Sequence, residues 1–276
     1  MPTIEAKRAR FAELHASQGC FIIPNPWDVG STKYLASLGF KALATTSAGA
    51  AFAAGKPDGG MTRAEVLRHV TDLVAATDLP FNADYEAGFA ATRDELYESV
   101  TRCIATGVAG FSIEDFTGDP AGPFFGAQEA ADRIRTARAA INASGHKVLL
   151  TARCETMLRG HPDGLAEALR RLESYAEAGA DVLYAPGLRS PEEVAQVVKR
   201  ARPLPVNVLA GAPGFTLRQL EDLGVRRVSV GAALARAAWG GFMRAAQDIA
   251  RNGRFDSFAD AAPFAELDRL FRSSGT

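Results

Sequence analysis

The sequence predicts a single (β/α)8 barrel of the TIM type, and three observations favour this fold. Eight short apolar runs recur along the 276 residues. Amphipathic patterns, with apolar residues three and four positions apart, lie between most of these runs. Several of the helical patterns end in a glycine that is followed directly by the next apolar run. Alternating strands and helices favour parallel strands joined by right-handed crossovers, and eight such units match a closed barrel of about 250 residues.

The apolar runs define eight predicted strands. They cover residues 21–23, 42–44, 79–81, 110–113, 148–150, 182–184, 206–209 and 228–230. The clearest amphipathic patterns predict helices over residues 63–75, 93–106, 127–144, 164–178 and 191–201. The first fifteen residues also form a charged helical pattern.

Glycine marks the ends of four predicted helices. The segments SLGFKAL, ATGVAGF, EAGADVL and DLGVRRV place Gly39, Gly107, Gly179 and Gly224 between a helix and the following strand. A helix commonly ends on a residue in the left-handed conformation, which glycine adopts without steric cost. We therefore expect a repeated β/α unit with left-handed glycines at these four positions.

Two further features concern the domain organisation. A doubly wound open sheet is the alternative fold, but no GxGxxG motif follows the first predicted strand. Residues 232–252 and 255–273 predict one or two helices beyond the barrel. No linker or low-complexity segment is evident, so residues 1–276 are predicted to form one domain with C-terminal helices from about residue 233 onward.

Composition and charge exclude several functional classes. The formal net charge is −1, hydrophobic residues make up 47% and charged residues 23%. There is no basic stripe for nucleic acid, no polybasic run for a membrane surface and no apolar run long enough to cross a bilayer. Cys20, Cys103 and Cys154 lack a CxxC spacing, so neither zinc nor a disulfide framework is expected. The predicted compartment is the reducing cytoplasm, because no signal-peptide core precedes the first helix.

Carboxylates follow two neighbouring predicted strands. The segment NADYEAG places Asp84 and Glu86 after the third strand, and Glu114 follows the fourth. Residues two apart on a strand share a face, so these groups are expected to meet at the mouth of the barrel, where active sites lie. Carboxylates gathered there repel one another unless a cation is present. Oxygen ligands without His or Cys favour Mg²⁺, or Mn²⁺, over zinc.

Two further features accompany these carboxylates. Arg153, at the end of the fifth strand, has a planar guanidinium that suits an anionic substrate. The small-residue segment 45–49 offers hydroxyl and backbone N–H groups for an oxyanion or a carboxylate. Together they describe a site for a small acid that develops enolate charge. The alternatives are a solvated turn at Asp84 and Glu86, and a structural pairing of Arg153 with Glu114 or Glu155.

Five longer motifs span most of the chain in this order: PNPWDVGSTKYLASLGFKALATTSAG, NADYEAG, GVAGFSIED, LTARCE and YAEAGADVLYAPG. In these motifs the sequence resembles the isocitrate lyase/phosphoenolpyruvate mutase superfamily. The resemblance implies a (β/α)8 barrel whose last helix is exchanged between paired subunits, in a homodimer or homotetramer. It also implies Mg²⁺-dependent cleavage or formation of C–C or P–C bonds through an enolate.

The resemblance implies residue roles as well. It makes Asp84 the direct metal ligand, Glu86 and Glu114 acidic residues that hold the metal through water, and Asp58, in GKPDGG, a further member of that water network. It makes Arg153 the arginine that binds the substrate carboxylate. It also implies that three consecutive residues, Thr46, Ser47 and Ala48, bind the carboxylate and enolate oxygens of the α-keto acid. Arg153 and Thr46 are the predicted catalytic residues.

Two segments depart from the superfamily pattern. Its lyases carry a Cys and basic residues in the loop after the fourth strand, whereas residues 116–126 here read FTGDPAGPFFG. Its phosphonopyruvate mutases have Lys and Asn in that loop and a His near the end of the sixth strand, where this chain has Ala185, Pro186 and Gly187. Decarboxylation requires less than aldol cleavage, since water can protonate the enolate. Residues 118–126 are expected to serve as a lid.

The leading hypothesis is a Mg²⁺-dependent carbon–carbon lyase. Its substrate would be a small α-keto or 2-hydroxy di- or tricarboxylate resembling oxaloacetate, which it cleaves or decarboxylates. One alternative is a phosphonopyruvate-type P–C mutase or hydrolase. Another is a protein that binds a keto acid without turnover. No residue is identified as the proton donor.

Overall fold

The structure, a computed structural model, describes residues 2–273 and is a barrel of eight parallel strands. The strands are β1 Phe21–Ile23, β2 Leu43–Ala44, β3 Phe81–Asp84, β4 Gly110–Glu114, β5 Leu149–Arg153, β6 Val182–Tyr184, β7 Val206–Leu209 and β8 Arg227–Ser229. The predicted fold class is confirmed.

The sheet closes through the pairing of β1 with β8. Each strand pairs with its neighbour in sequence from β2 to β8, and β8 pairs with β1. The remaining gap lies between β1 and β2. There the N–H of Ala44 donates to the carbonyl of Pro24 at 3.1 Å, and Nδ2 of Asn25 donates to the carbonyl of Thr45 at 2.8 Å. These bonds bring the edges together, so the barrel is nearly closed.

The helices alternate with the strands as predicted. They are α1 Ile4–Ala16, α2 Val29–Ser37, α3 Ser47–Ala53, α4 Arg63–Ala75, α5 Arg93–Ala105, α6 Ala127–Ser144, α7 Gly164–Glu177, α8 Pro191–Ala201, α9 Leu217–Asp222, α10 Ala233–Asn252 and α11 Phe264–Ser273. Side-chain caps begin many of them; Thr62 and Thr92, for example, form capping boxes with Glu65 and Glu95. No helix within residues 2–273 is both long and apolar enough to span a membrane.

The glycine prediction is confirmed at all four positions. Gly39, Gly107, Gly179 and Gly224 have φ between 83° and 99°. A residue with a Cβ is strained in this conformation. These glycines therefore end the helices and turn the chain into the next strand.

Strand boundaries are the part of the prediction that was wrong. β3 begins at Phe81, two residues later than predicted, and runs on through Asp84. β5 likewise extends through Arg153. Because the last inward-facing residues of these strands are polar and charged, an apolar run underestimates how far the strands reach. The side chains of Asp84 and Arg153 consequently lie on the strands and not in the loops that follow them.

The predicted C-terminal helices are present, although the second is interrupted. α10 has twenty residues, of which only Ala235 is buried. A short 3-10 helix over Asp256–Asp260 follows, and α11 starts directly after Pro263. α11 contacts α2 of the same chain, with the ring of Phe271 beside Gly30. Exchange of this helix between subunits stays a prediction.

Candidate active site

A pocket of about 430 Å³ lies at the carboxyl ends of the strands. Its walls include the carboxyl groups of Asp58, Glu86 and Glu114 and the guanidinium groups of Arg153 and Arg159. These residues come from four different strand-to-helix connections or strand ends, so the barrel topology alone brings them together. The pocket is therefore lined by charges of both signs, as a site for a charged small molecule requires.

Arg153 is the central residue of this pocket. Its Nε lies 2.6 Å from Oε1 of Glu155, and its Nη1 lies 3.1 Å from Oδ1 of Asp84 and 3.2 Å from Oε2 of Glu114. Burial by itself would lower the pKa of Arg153, but the carboxylates of Glu114, Glu155 and Asp84 outweigh it and raise the pKa well above its ordinary value. The guanidinium is thus permanently charged and rigidly held. The alternative that Arg153 pairs with Glu114 and Glu155 is observed.

One side of the Arg153 guanidinium remains available. Within the described part of the chain, no hydrogen-bond partner is found for Nη2. Nη2 carries two N–H donors. Arg153 can therefore hold its structural partners through Nε and Nη1 and still donate to a substrate carboxylate through Nη2.

Asp84 is fixed by the segment that follows β2. Its Oδ2 accepts from the backbone N–H of Ser47 at 3.1 Å and from the Ser47 hydroxyl at 2.9 Å. Its backbone N–H donates to the Thr45 hydroxyl at 2.8 Å. Both carboxylate oxygens of Asp84 are thus engaged, one by Ser47 and the other by Arg153. Asp84 links the predicted oxygen-binding segment to the predicted substrate arginine.

Thr46 is placed differently from the expectation. The segment 45–49 is not a free loop, because α3 begins at Ser47 and Thr46 is its N-cap. The Thr46 hydroxyl accepts from the N–H of Gly49 at 3.2 Å and is buried. Thr46 is absent from the residues that line the pocket, whereas Ser47 lines it. Ala48 lies in the first turn of α3. Local capping chemistry explains why Thr46 is used structurally.

Glu86 lines the pocket from the loop after β3, in a strained backbone conformation. Its φ is +48°, which is uncommon for a residue other than glycine. Burial, and then the neighbouring carboxylates of Asp84 and Asp58, raise the pKa of Glu86 to about 7. Within residues 2–273, no ion pair or hydrogen bond engages its carboxylate. Backbone strain of this kind is often found at functional sites.

The carboxylates are suitable for a hard divalent cation, although they do not form a ready-made cage. Within residues 2–273, no three His, Cys, Asp or Glu side chains are arranged as a metal site. Mg²⁺ usually takes one or two protein carboxylates and keeps several water ligands. Asp84, Glu86 and Glu114 supply only oxygen atoms, and burial raises the pKa of Glu114 well above its ordinary value. A cation would relieve the cost of ionising these crowded groups, so the donor set fits Mg²⁺ bound largely through water.

The loops after β4 and β5 meet above the pocket. The guanidinium of Arg159 lies 4.0 Å from the ring centroid of Phe116, and the rings of Phe124 and His161 are 5.6 Å apart. Arg159 also pairs with Glu155 at 3.2 Å and approaches Asp58 at 4.0 Å. These contacts join three connections around one arginine. The predicted lid segment thus lies at the entrance, and its movement stays a prediction.

Two buried carboxylates near Arg153, those of Glu155 and Asp115, were not among the predicted site residues. Glu155 is fully buried against Arg153. Asp115 is buried and accepts from the backbone N–H of Glu155 at 2.7 Å, the Arg171 guanidinium at 2.9 Å and the Tyr175 hydroxyl at 2.7 Å. It therefore positions the segment that carries Glu155. A signal for Glu155 was its spacing of two from Arg153.

The fold and the residues of the pocket place the protein in the class of (β/α)8 barrels that have a polar site, here centred on Arg153, at the carboxyl ends of the strands. Residues 11–250 match the family described as phosphoenolpyruvate phosphomutase. The chain belongs to that family, within the isocitrate lyase/phosphoenolpyruvate mutase superfamily.

Individual relatives agree with this assignment. An uncharacterised protein of Mycobacterium tuberculosis is 32% identical over 93% of this chain and 94% of its own length. The 2-methylisocitrate lyase of Bacillus subtilis is 28% identical over 85% of this chain and 78% of its own. A crystal structure from Burkholderia cenocepacia, whose description as a lyase/mutase is itself a proposal, superposes with a TM-score of 0.94. It is 44% identical and covers 98% of this chain and 97% of that one. The family contains lyases and mutases.

Proposed function

We propose that this chain is a Mg²⁺-dependent carbon–carbon lyase, with Mn²⁺ as an alternative metal. Its substrate would be a small α-keto or 2-hydroxy di- or tricarboxylate, and oxaloacetate is the simplest candidate. The observation that carries the proposal is Arg153, held by three carboxylates with Nη2 free to bind an acid. The likeness to a 2-methylisocitrate lyase supports C–C chemistry.

The proposal gives separate roles to the substrate-binding and metal-binding residues. Arg153 binds the carboxylate of the substrate, and its fixed guanidinium sets the orientation of the adjacent keto group. Asp84, Glu86 and Glu114 would hold the metal, with Asp58 in the surrounding water network. The bound cation supplies positive charge that favours enolate formation. Ser47 holds Asp84 in place, and the catalytic role of Thr46, which also caps α3, stays a prediction.

The entrance loops contribute by excluding water. Phe116 and Phe124 face Arg159 and His161 across the two loops, so an apolar layer covers the charged pocket when they meet. Exclusion of water strengthens the electrostatic interactions inside a site. Residues 116–126 contain no Cys, Lys or His. This composition favours decarboxylation over the aldol cleavages that use an acid from that loop.

The proposal is tested by following pyruvate formation from oxaloacetate with Mg²⁺, with EDTA, and after Mg²⁺ is restored. We expect turnover that EDTA abolishes and Mg²⁺ restores. Asp84→Ala should lose at least a hundredfold in kcat/KM, while Asp72→Ala, which changes an exposed carboxylate on α4, should match the wild type. Metal-dependent turnover that survives Asp84→Ala would refute the site. No turnover across a dicarboxylate panel would refute the function.

Two other functions remain open to the same site. The family description favours a P–C mutase or hydrolase acting on a phosphonate, and phosphorus NMR of phosphonopyruvate incubations would detect it. Asp119 is the one titratable residue in 116–126. The scarcity of groups for proton transfer in this loop favours the other alternative, a protein that binds a keto acid without turnover. Tight oxalate binding by calorimetry without any turnover would support that alternative.

We also propose that the chain forms a homodimer or homotetramer through its C-terminal segment. Phe242 on α10 is 63% exposed and Phe264 on α11 is 85% exposed. Trp239, Phe255 and Phe258 extend the same apolar segment. Contiguous exposed aromatic residues are typical of protein interfaces. A second copy of this chain is the partner that the superfamily resemblance implies.

A further inference from the structure

Arg227 is a buried arginine without a carboxylate partner. It is the first residue of β8 and is 3% exposed. Its Nε donates to Oδ1 of Asn207 at 2.9 Å, its Nη2 donates to the hydroxyl of Thr151 at 3.0 Å, and its Nη1 lies 3.3 Å from Nε2 of His15. No ion pair of Arg227 is found within residues 2–273. Burying a charge without a counterion is costly, so this arginine requires a functional explanation.

The hydrogen bonds around Arg227 have a defined direction. A guanidinium only donates, so the Asn207 oxygen faces Arg227 and the Asn207 Nδ2 donates to the hydroxyl of Ser229 at 2.9 Å. The side chains of Ser229 and Tyr184 line the same small cavity, and the Ser229 side chain lowers the pKa of Tyr184. A chain of hydrogen bonds therefore runs from the Arg227 cation through Asn207 to the Ser229 hydroxyl, beside Tyr184.

Tyr184 lies next to the proposed substrate arginine. It is the register partner of Arg153 on the neighbouring strand, and the Arg153 guanidinium lies 5.5 Å from its ring centroid. Tyr184, Arg153, Asp84, Ser112 and Ser229 line a small cavity of about 50 Å³ inside the barrel mouth. Arg153 also lines the larger pocket. The tyrosine is thus placed beneath the position where Arg153 would hold an acid.

We propose that Tyr184 is the acid that protonates the enolate carbon, and that Ser229, Asn207 and Arg227 are its positioning residues. This inference rests on the proposed function. In the step, the electron pair of the enolate C=C bond takes the proton of the Tyr184 hydroxyl, so a C–H bond forms and the phenol O–H bond breaks. The keto acid leaves, and water entering the opened site returns a proton to the tyrosinate.

The charges around Tyr184 suit this role. Burial, opposed by the Arg153 charge, raises the pKa of Tyr184 to about 12, so the phenol carries its proton at neutral pH. Burial lowers the pKa of Arg227 to about 10, and the opposing influence is Tyr184. A tyrosinate would therefore form close to a cation for which no ion pair is found in the described part of the chain. Asn207 and Ser229 connect the two groups through the hydrogen bonds from Arg227 to Asn207 and from Asn207 to Ser229.

The test compares Tyr184→Phe and Ser229→Ala with the wild type, and uses Tyr34→Phe, at an exposed tyrosine on α2, as the matched control. Proton NMR follows exchange of the methyl hydrogens of pyruvate with D₂O in the presence of Mg²⁺. By microscopic reversibility the acid of the forward step removes this hydrogen in the reverse step. Oxaloacetate turnover is measured in parallel, and oxalate binding is measured by calorimetry.

We expect Tyr184→Phe to lose at least about a hundredfold in exchange and in kcat, with oxalate affinity within threefold of the wild type. Ser229→Ala should lower kcat about tenfold and leave KM unchanged, while calorimetry still titrates the wild-type number of oxalate sites per chain, which a loss of folding would not produce. Tyr34→Phe should match the wild type. Exchange and kcat within threefold of the wild type in Tyr184→Phe would overturn the assignment. If that variant fails to bind oxalate, an unchanged kcat in Ser229→Ala would overturn it.

The same data separate this assignment from the proposed function. Tyr184-dependent exchange without turnover of any dicarboxylate would support the acid and refute the lyase. Oxaloacetate turnover that is insensitive to Tyr184→Phe would support the lyase and refute the acid. Neither exchange nor turnover in the wild type would overturn both.

Discussion

Nη1 of Arg153, on β5, lies 3.1 Å from Oδ1 of Asp84, on β3, although 69 residues separate them in the chain. Through this contact the proposed substrate-binding group and the proposed metal ligand share one hydrogen-bonded unit. Ser47 holds the other oxygen of Asp84 at 2.9 Å. A change at any of these residues should therefore affect both stability and activity.

Removing the charge of Arg153 should destabilise the barrel. Arg153→Met leaves the buried carboxyl groups of Glu114 and Glu155 without their cation, which should cost about 3–5 kcal/mol in the free energy of unfolding. Arg153→Lys keeps the charge but cannot contact three carboxylates in a plane, so kcat/KM should fall at least a hundredfold with a smaller loss of stability. Urea denaturation and steady-state kinetics measure the two effects.

The control for Arg153 is Arg102→Met. Arg102 pairs with Glu98 on the exposed face of α5, and such a pair contributes little to stability. We expect a change within about 0.5 kcal/mol. If Arg153→Met were equally neutral, the ion-pair unit would not stabilise the site.

Glu86 should contribute to metal affinity without being the main ligand. Glu86→Gln removes one charge from the pocket and should weaken Mg²⁺ binding about 10- to 100-fold, the usual effect of a residue that holds a metal through an intermediate group. The measurement is calorimetric titration with Mg²⁺, or electron paramagnetic resonance of free Mn²⁺. Glu98→Gln, on an exposed helix face, is the control. Equal affinities in both variants would remove Glu86 from the metal site.

His15 should make the protein sensitive to acid. Burial, and then the charge of Arg227, lower the pKa of His15 to about 3, while its Nδ1 lies 2.8 Å from the carbonyl of Phe11. The unfolded chain therefore binds a proton at higher pH than the folded one. Stability should fall as the pH drops below the ordinary value of about 6.5, by up to about 1.4 kcal/mol per pH unit until about pH 3.

The variant His15→Gln tests this pH dependence. It is uncharged at every pH, so urea denaturation between pH 7 and pH 4.5 should show a flatter loss of stability than in the wild type. His146→Gln, at an exposed position, should retain the wild-type slope. Identical slopes for His15→Gln and the wild type would mean that His15 is protonated in the folded state.

The C-terminal segment should control assembly. Light scattering of the wild type should give twice or four times the 29.2 kDa chain mass. Phe242→Asp places a charge in the exposed aromatic surface and should shift the protein toward smaller species. Tyr97→Asp, on the exposed face of α5, should leave the mass unchanged. A wild-type protein of 29.2 kDa at micromolar concentration would contradict the oligomer proposal.

Much of the fold was predictable because its signals are local. The glycines at positions 39, 107, 179 and 224 mark helix ends through their own backbone preference, and helical periodicity depends on residues three and four apart. The ends of β3 and β5 were not predictable in the same way, because Asp84 and Arg153 are polar residues that interrupt an apolar pattern while remaining in the strand.

The sequence predicted which residues form the candidate site better than it predicted how they contact one another. Asp84, Glu114 and Arg153 were selected because strand ends meet at one mouth. The helix-capping contact of Thr46 was not predicted, because it depends on α3, which begins inside the small-residue segment 45–49. Arg227 escaped attention because a charged first residue of a strand looks like a solvated end, and only closure of the barrel buries it.

The sequence by itself determined the order of strands and helices, the barrel class and the residues that line its mouth, since each depends on periodicity, turn chemistry and topology. Only the tertiary structure decided which charges touch. The contacts of Arg153 with Asp84 and Glu114, and the hydrogen bonds from Arg227 through Asn207 to Ser229, depend on strand register and side-chain direction across the barrel. Residues far apart in the chain set those quantities jointly, so no local pattern contains them.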